Sequence, residues 1–580
     1  MWLGTLVVGG AVVLAGCVSG GPEGGGSSAP TAASMAADAL PEGGMGAYLA
    51  AHSARLRDDV AGAADNLLTA LKAAPGNQDV MRLAVVYAAA DGRFDVAADV
   101  ARALVKVRRG DMMAGYVLAV AAVRHGDWAA AGSALAPIPR GHLNALLGPL
   151  LRAWVDAGTG NAEGALAELK PLAGTAAFIP VQRFHTALLF DLLGRNAEAE
   201  AAYDQALAGD GGSSIHALQA AGRFFNRIGK PDKTRAIIDA YAEGHADSPI
   251  ALALAADLVR HRNTASVVPG DRSGMAEALF SVATSLSEAE AWEVTLALTR
   301  LALAAEPDLD LAWVLAADLY ESHQDLEKAN EAYARIPETS PVAFSVRLRI
   351  AKNLERLDRS DEAARCLNAL ADAHPDRPEA LIELGDLYRG TESYADAVVA
   401  YDRAMARIKE IKPGHWVLFY TRGIALERAR QWPRAEADFL KALELEPDQP
   451  LVMNYLGYSW LEQGRNLDRA QEMIEKAVTQ RPRDGYIVDS LGWACYLRGN
   501  FAEAVRHLEQ AVVLVADDTT INDHLGDAYA RVGRTLEARY QWERALSLKP
   551  DDEQAGRIRA KLAGGPVAPT AAEAGKGGRP

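Results

Sequence analysis

Cysteine is scarce: Cys17, Cys366 and Cys495 are the only three in 580 residues, too few for a disulfide framework. Cys366 and Cys495 fall at helical core positions of different segments and read as small buried apolar residues rather than a pair. The twelve histidines are scattered, and the chain contains no H-E-x-x-H and no paired C-x-x-C. It also lacks a Walker loop, a G-x-S-x-G elbow and a G-x-G-x-x-G following a strand. These absences leave no catalytic residue, metal or cofactor to assign, and the expectation is a protein without enzymatic activity. Positive charge is in deficit, with 60 Lys and Arg against 76 Asp and Glu, a formal charge of −16 and a pI near 5.3. Nucleic acid needs a basic face, so that class of partner is excluded.

What the chain has is repetition. Leu456-Gly457, Leu491-Gly492 and Leu525-Gly526 are one dipeptide three times, each followed seven residues later by Gly464, Gly499 or Gly533. Ala470, Ala504 and Ala538 step by 34 residues, as do Ala477, Ala511 and Ala545. Pro447, Pro482 and Pro550 close units of this kind. A fixed period with small residues at fixed offsets is the mark of a helical repeat array. Glycine inside a helix costs about 1 kcal/mol relative to alanine, so each mid-helix glycine implies close packing. Gly457, Gly492 and Gly526 are therefore expected to face a second helix, with Gly423 in the same slot one unit earlier. Ala470, Ala504 and Ala538 answer them on that second helix, while Trp460, Cys495, Tyr529, Ile474, Leu508 and Trp542 fill the space between. On these residues the pattern resembles the tetratricopeptide repeat. The resemblance implies an all-α, right-handed superhelical solenoid of about fourteen helix pairs.

The N-terminus differs in kind. Trp2 to Ala15 is nearly all apolar and too short to span a bilayer as a mature helix. It ends Leu14-Ala15-Gly16-Cys17 and turns at once to Gly, Pro and Ser, which is similar to a bacterial lipoprotein signal peptide with its lipobox. The resemblance implies removal of residues 1–16 and lipidation of Cys17, which would hold the protein on a membrane. Val18, where inner-membrane lipoproteins tend to carry Asp, leans towards the outer membrane with the protein facing the periplasm. A cytoplasmic chain with an apolar N-terminus is the alternative. Residues 17–46 are rich in Gly, Ser, Ala and Pro and read as a flexible tether with a reach of roughly 30 Å.

The helical period starts at Tyr48 and gives a degenerate array over 47–247. Residues 248–274 break the rhythm and read as a helix plus a junction loop. The period resumes at Met275, sharpens after Pro307, and runs over 275–552. A polar capping helix with Arg557, Arg559 and Lys561 is expected over 553–562, and a low-complexity tail over 563–580.

In tetratricopeptide arrays the first helices line the concave face. If the repeat glycines face the second helix, the residues three before and one after them turn to that groove. These are Asn454, Asp489 and Asp523, and Tyr458, Trp493 and Asp527; Leu461 and Tyr496 come four after, and Tyr420 is added by the preceding unit. Amides and carboxylates can hydrogen-bond an extended peptide, and aromatic rings add contact area at low entropic cost. Alternatively, Trp493 and Tyr496 complete the packing between repeats. The acidic groove favours basic or neutral protein segments as ligands. The sequences around Leu456-Gly457, Leu491-Gly492 and Leu525-Gly526, with the lipobox, resemble proteobacterial tetratricopeptide lipoproteins, well for about 307–550 and weakly before. The relative type implied is an outer-membrane adaptor that brings peptidoglycan hydrolases to a periplasmic carboxyl-terminal processing protease. Scaffolding of a secretion, pilus or polysaccharide-export machine is the second possibility, because repeat scaffolds change partners while keeping their architecture.

Overall fold

The structure is a computed structural model that describes residues 42–141, 143–208, 214–245, 248–260, 265–286 and 288–564. Cys17, residues 1–16, most of the tether and the tail from 565 lie outside the described residues. The first described helix begins at Glu42, so the chain is helical earlier than the expected end of the tether at 46.

The described residues form 30 α-helices and no strand. They divide between two compact units, Met1–Asp358 and Arg359–Pro580. The first unit holds α1 (Glu42–Arg55), α2 (Val60–Ala73), α3 (Gln78–Ala90), α4 (Phe94–Val107), α5 (Met112–Arg124), α6 (Trp128–Leu135), α7 (Asn144–Gly158), α8 (Ala162–Leu169) and α9 (Ile179–Leu192). It continues with α10 (Asn196–Leu207), α11 (Ile215–Arg227), α12 (Pro231–His245), α13 (Pro249–Arg260), α14 (Asp271–Ser285), α15 (Glu288–Ala305), α16 (Asp310–Ser322), α17 (Leu326–Tyr333) and α18 (Ala343–Arg356). The second unit holds α19 (Ser360–Ala373), α20 (Glu379–Gly390), α21 (Tyr394–Arg407), α22 (Trp416–Arg428), α23 (Trp432–Leu445) and α24 (Pro450–Glu462). Its last helices are α25 (Leu467–Gln480), α26 (Gly485–Leu497), α27 (Phe501–Leu514), α28 (Thr519–Arg531), α29 (Thr535–Ser547) and α30 (Asp552–Gly564). Within the units the helices pack as thirteen consecutive pairs, eight in the first and five in the second, with α13, α18, α19 and α30 left over.

Local chemistry sets the ends of each pair. Asp484 caps α26 by accepting from the Tyr486 and Ile487 amides, and Asp518 caps α28 through the Ile521 amide at 2.9 Å. The turn to the second helix passes through a left-handed residue. Gly499 takes φ +82° there at no steric cost, whereas Glu392 and Arg430 hold the same turn at φ +59° and +61° with a side chain attached. The turn geometry therefore persists where the glycine marker is missing.

Packing within each pair follows the glycine–alanine pattern. A Cβ added at Gly492 would meet Leu508 Cγ at 2.6 Å, and one at Gly526 would meet Trp542 Nε1 at 2.5 Å. Gly423 faces Phe439 and Gly457 faces Ile474 in the same way. Ala470, Ala504 and Ala538 are fully buried on the partner helices. Removing the side chain at these positions is what lets two helices cross closely enough to bury the large residues between them.

The first unit departs from simple stacking. Residues 271–305 do not read out as one more ordinary repeat. Instead α15 packs on α3 and α5, and α14 packs on α7 and α9, so this hairpin lies across the first helices of earlier pairs. Ser273 to Ala283 of α14 are all buried, and Gly274 sits against the Trp154 ring. Tyr87 OH of α3 donates to Glu293 Oε1 of α15 at 2.7 Å. Of the interval expected as a junction loop, residues 265–270 are described ahead of α14, and Val268 is buried there. Cys495 is buried, and burial pushes its thiol up to about 11; Cys366 is half-buried.

Candidate partner-binding site

The first helices of the second unit, α24, α26 and α28, pack against one another in succession. Their repeat glycines point at the second helices, which turns Asn454, Asp489 and Asp523 and the residues after the glycines towards this common face. The structure brings those residues together but covers most of them. Asp489, Trp493, Tyr496, Asp523, Asp527, Leu461 and Tyr420 are buried, while Asn454 and Tyr458 are half-buried. The expectation of an open polar ladder is corrected accordingly. A carboxylate withdrawn from water needs a cation or donor at hydrogen-bond distance, and here each acid takes one from a later helix.

The pattern repeats along the helices. His524 Nδ1 on α28 lies 3.1 Å from both carboxylate oxygens of Asp489 on α26. Its ring stacks on Trp493, with centroids 3.9 Å apart and an interplanar angle of 11°. Trp493 in turn stacks on Tyr496 at 4.6 Å and donates from Nε1 to Glu462 Oε1 of α24 at 2.8 Å. The Arg531 guanidinium closes the stack over the Phe501 ring at 4.1 Å. Trp493 and Tyr496 thus bridge repeats, which is the packing alternative. Tyr420 likewise meets Tyr455 edge-on, with ring centroids 6.1 Å apart, and burial pushes its hydroxyl up to about 12.

At the end of the chain Lys561 enters the face from α30. Its Nζ lies 3.0 Å from both oxygens of Asp523 and 2.7 Å from Asp527 Oδ2. Trp542 Nε1 donates to Asp527 Oδ1 at 3.1 Å. The sequence places Lys561 on a polar, solvated cap, but it is only 4% exposed. The cap is polar outside, while its inner stripe of Ala555, Ile558 and Lys561 is buried. Burial alone lowers the pKa of His524, yet the Asp489 carboxylate outweighs it and holds the imidazolium up to about 9. Burial raises Asp527, Lys561 opposes that, and the carboxyl settles at about 7. Burial lowers Lys561, and Asp527 and Asp523 more than offset it, keeping the ammonium charged. His524 and Lys561 are site residues that sequence reasoning missed. The marker for His524 was its place beside Leu525-Gly526; Lys561 had none, because α30 lacks the Leu-Gly pair that marks the first helices.

The first unit holds a second polar cluster. Trp154 Nε1 donates to His185 Nδ1 at 3.1 Å, so Nε2 carries the proton and faces Ser281 Oγ at 3.3 Å. Ser281 Oγ donates to Glu277 Oε1 at 3.0 Å. A nucleophilic serine would donate to the histidine; here the order is reversed and the histidine is fully buried, with its pKa pushed down to about 4 by burial. The cluster seats α14. Among the described residues no group of His, Cys, Asp and Glu is placed to hold a metal ion, and no helix is long and apolar enough to cross a membrane.

A family model described as tetratricopeptide repeat matches residues 348–414, 420–484, 465–519 and 498–553. Among curated proteins, a TPR repeat-containing protein of Pseudomonas aeruginosa is 29% identical over 219 residues, covering 38% of this chain and 36% of that protein. Superkiller complex protein 3 of Mus musculus is 24% identical over 280 residues, covering 41% of this chain and 18% of that protein. The chain therefore spans about a third and about a fifth of the lengths of these two relatives. Among solved structures, a tetratricopeptide repeat protein from Parabacteroides merdae covers 44% of this chain and 97% of its own, at 18% identity and a TM-score of 0.36. The Cut9–Hcn1 complex covers 84% of this chain and 96% of its own, at 17% identity and a TM-score of 0.36. The repeats read from the glycine and alanine periods lie within the residues that the tetratricopeptide model matches, and the fold is all-α.

Proposed function

We propose that this tetratricopeptide-repeat chain is a non-enzymatic scaffold that binds proteins or peptide segments. It acts from the periplasmic side of the outer membrane, where a lipid on Cys17 anchors it. The observation that carries the reading is the succession of first helices α24, α26 and α28, packed one on the next, whose common face is closed at α28 by a helix that buries a single stripe, α30. Tetratricopeptide arrays bind proteins and peptides, and no constellation among the described residues supports a reaction. In the first unit the equivalent faces of α3, α5, α7 and α9 are occupied by α14 and α15, which favours the second unit for partners. The finer reading is an adaptor that presents cell-wall hydrolases to a carboxyl-terminal processing protease; its support is the likeness of residues 307–550 and of the Leu14-Ala15-Gly16-Cys17 segment to such lipoproteins.

Affinity purification of the full chain from envelopes in mild detergent tests this. Recovery of a processing protease together with a peptidoglycan hydrolase supports the adaptor. Recovery of secretion, pilus or polysaccharide-export components sinks it in favour of the envelope-machine scaffold, and recovery of no protein sinks the scaffold reading altogether. Labelling with a radioactive fatty acid tests the anchor: label in the wild type that disappears in Cys17→Ala supports it, and an unlabelled wild type overturns it.

A further inference from the structure

The terminal helix stands where a partner would. Along the common face, Asp489 on α26 receives its cation from His524 on the next first helix, 35 residues on. Asp523 on α28 receives its cation from Lys561, 38 residues on, although α30 belongs to no helix pair. By position α30 supplies to α28 what the next first helix supplies to α26. It is held differently from a repeat helix. On α26 every residue from Ile487 to Tyr496 is buried, whereas α30 buries one stripe, Ala555, Ile558 and Lys561, and leaves its outer surface to solvent. Two further bonds fasten it: Gln554 to Thr520 Oγ1 at 3.2 Å and Arg539 to the Leu562 carbonyl at 2.9 Å. An element with few buried contacts opens far more often than the core it rests on.

We propose that the α28 face is a lysine-recognition subsite and that α30 is its resident, displaceable occupant. The partner it takes is a helical segment of another protein carrying lysine three residues after a branched apolar side chain and six after a small one, the spacing of Lys561, Ile558 and Ala555. This deepens the scaffold reading and rests on it. The chemistry selects lysine over arginine. The ammonium places its donors on three carboxylate oxygens at 3.0, 3.0 and 2.7 Å, a compact three-point seat that a planar guanidinium fork does not match. The seat is also dry, so an uncharged side chain there would leave Asp523 with no cation. A competing segment therefore has to bring its own ammonium as α30 leaves.

A synthetic, fluorescently labelled peptide of residues 552–564 is titrated against the full-length protein. It binds Lys561→Ala at least about tenfold tighter than wild type, because the resident helix no longer competes for the seat. The same peptide with its lysine replaced by alanine does not bind, and adding Asp523→Asn and Asp527→Asn to the Lys561→Ala protein abolishes binding of the original. In wild type, α30 amides exchange hydrogen at least about tenfold faster than those of α28. Equal binding to wild type and Lys561→Ala, or exchange in α30 as slow as in α28, overturns the proposal. Should Lys561→Ala unfold α28, Ile558→Ala loosens α30 with the carboxylates still paired and is read the same way. Proteins that co-purify equally well with wild type and Asp523→Asn/Asp527→Asn leave the scaffold standing and overturn this subsite alone.

Discussion

Raising the pH should weaken the last repeat from within. His524 sits at about 9 in the folded protein against an ordinary 6.5, because the Asp489 carboxylate outweighs the cost of burial. A proton held more tightly by the folded form stabilises it fully below the ordinary value, and that stability is lost as pH rises through about 9. Asp527, held at about 7 against an ordinary 3.8, acts in the same direction at lower pH, so its contribution fades between those two values. Asp523, Glu462 and Lys561 are the other charged groups facing this pair. Between pH 6 and 9.5 the loss from His524 alone corresponds to about 3 kcal/mol, more than a hundredfold in local opening. Native-state hydrogen exchange of the α28 amides at both pH values, corrected for intrinsic exchange, reads this directly. His524→Gln keeps a donor near Asp489 but cannot titrate, and its α28 opening should lose most of the dependence above pH 7. An α28 opening free energy that is the same at pH 6 and 9.5, or a His524→Gln protein that retains the wild-type profile, would refute the assignment of the proton to the His524–Asp489 pair.

Other consequences are as direct. Gly423→Ala gains about 1 kcal/mol of helix propensity but drives its new methyl to 2.6 Å from Phe439 Cε1, at a cost of about 1–3 kcal/mol. In a Phe439→Leu background the same change should become stabilising, and additivity within about 0.5 kcal/mol in exchange of α22 and α23 would show that the close approach does not matter. Arg430→Gly should stabilise the α22–α23 turn by up to about 1 kcal/mol, since Arg430 holds φ +61° with a side chain attached; a fall in the thermal midpoint would contradict this. Gly274→Ala should loosen α14 by about 1–3 kcal/mol through collision with Trp154, seen as faster exchange in α14 while α28 is unchanged.

The glycine and alanine periods made the second unit legible because each marker has a steric reason that survives translation along the chain. Gly492 must lack a side chain wherever Leu508 crosses it, so the residue type reports the contact. In the first unit the same slots are filled by alanine on many faces, and alanine packs well without specifying a partner. The register of α14 and α15 was therefore visible as helical period, but their seat across α3, α5, α7 and α9 was not. That seat depends on contacts such as Tyr87–Glu293, which lie 206 residues apart and carry no repeat marker.

The same difference explains the candidate site. Offsets from the glycines placed Asp489, Asp523 and Asp527 on one face of the first helices, since helical geometry fixes which residues share a side. Whether a residue on that face meets solvent depends on the next helix laid over it, and here those helices bring His524 and Lys561. A carboxylate at such a position is neutral information by itself: left open it is a ligand for a basic segment, and covered it must capture a cation from its own chain. Asp489 and Asp523 both do the latter, but with unequal security. His524 belongs to a helix buried on every side, so Asp489 is committed to the fold. Lys561 arrives on a helix with three buried residues, so Asp523 is committed only as firmly as α30 is docked. The acidic face is thus graded, fixed at α26 and exchangeable at α28, and any partner that reads it should do so from the C-terminal end.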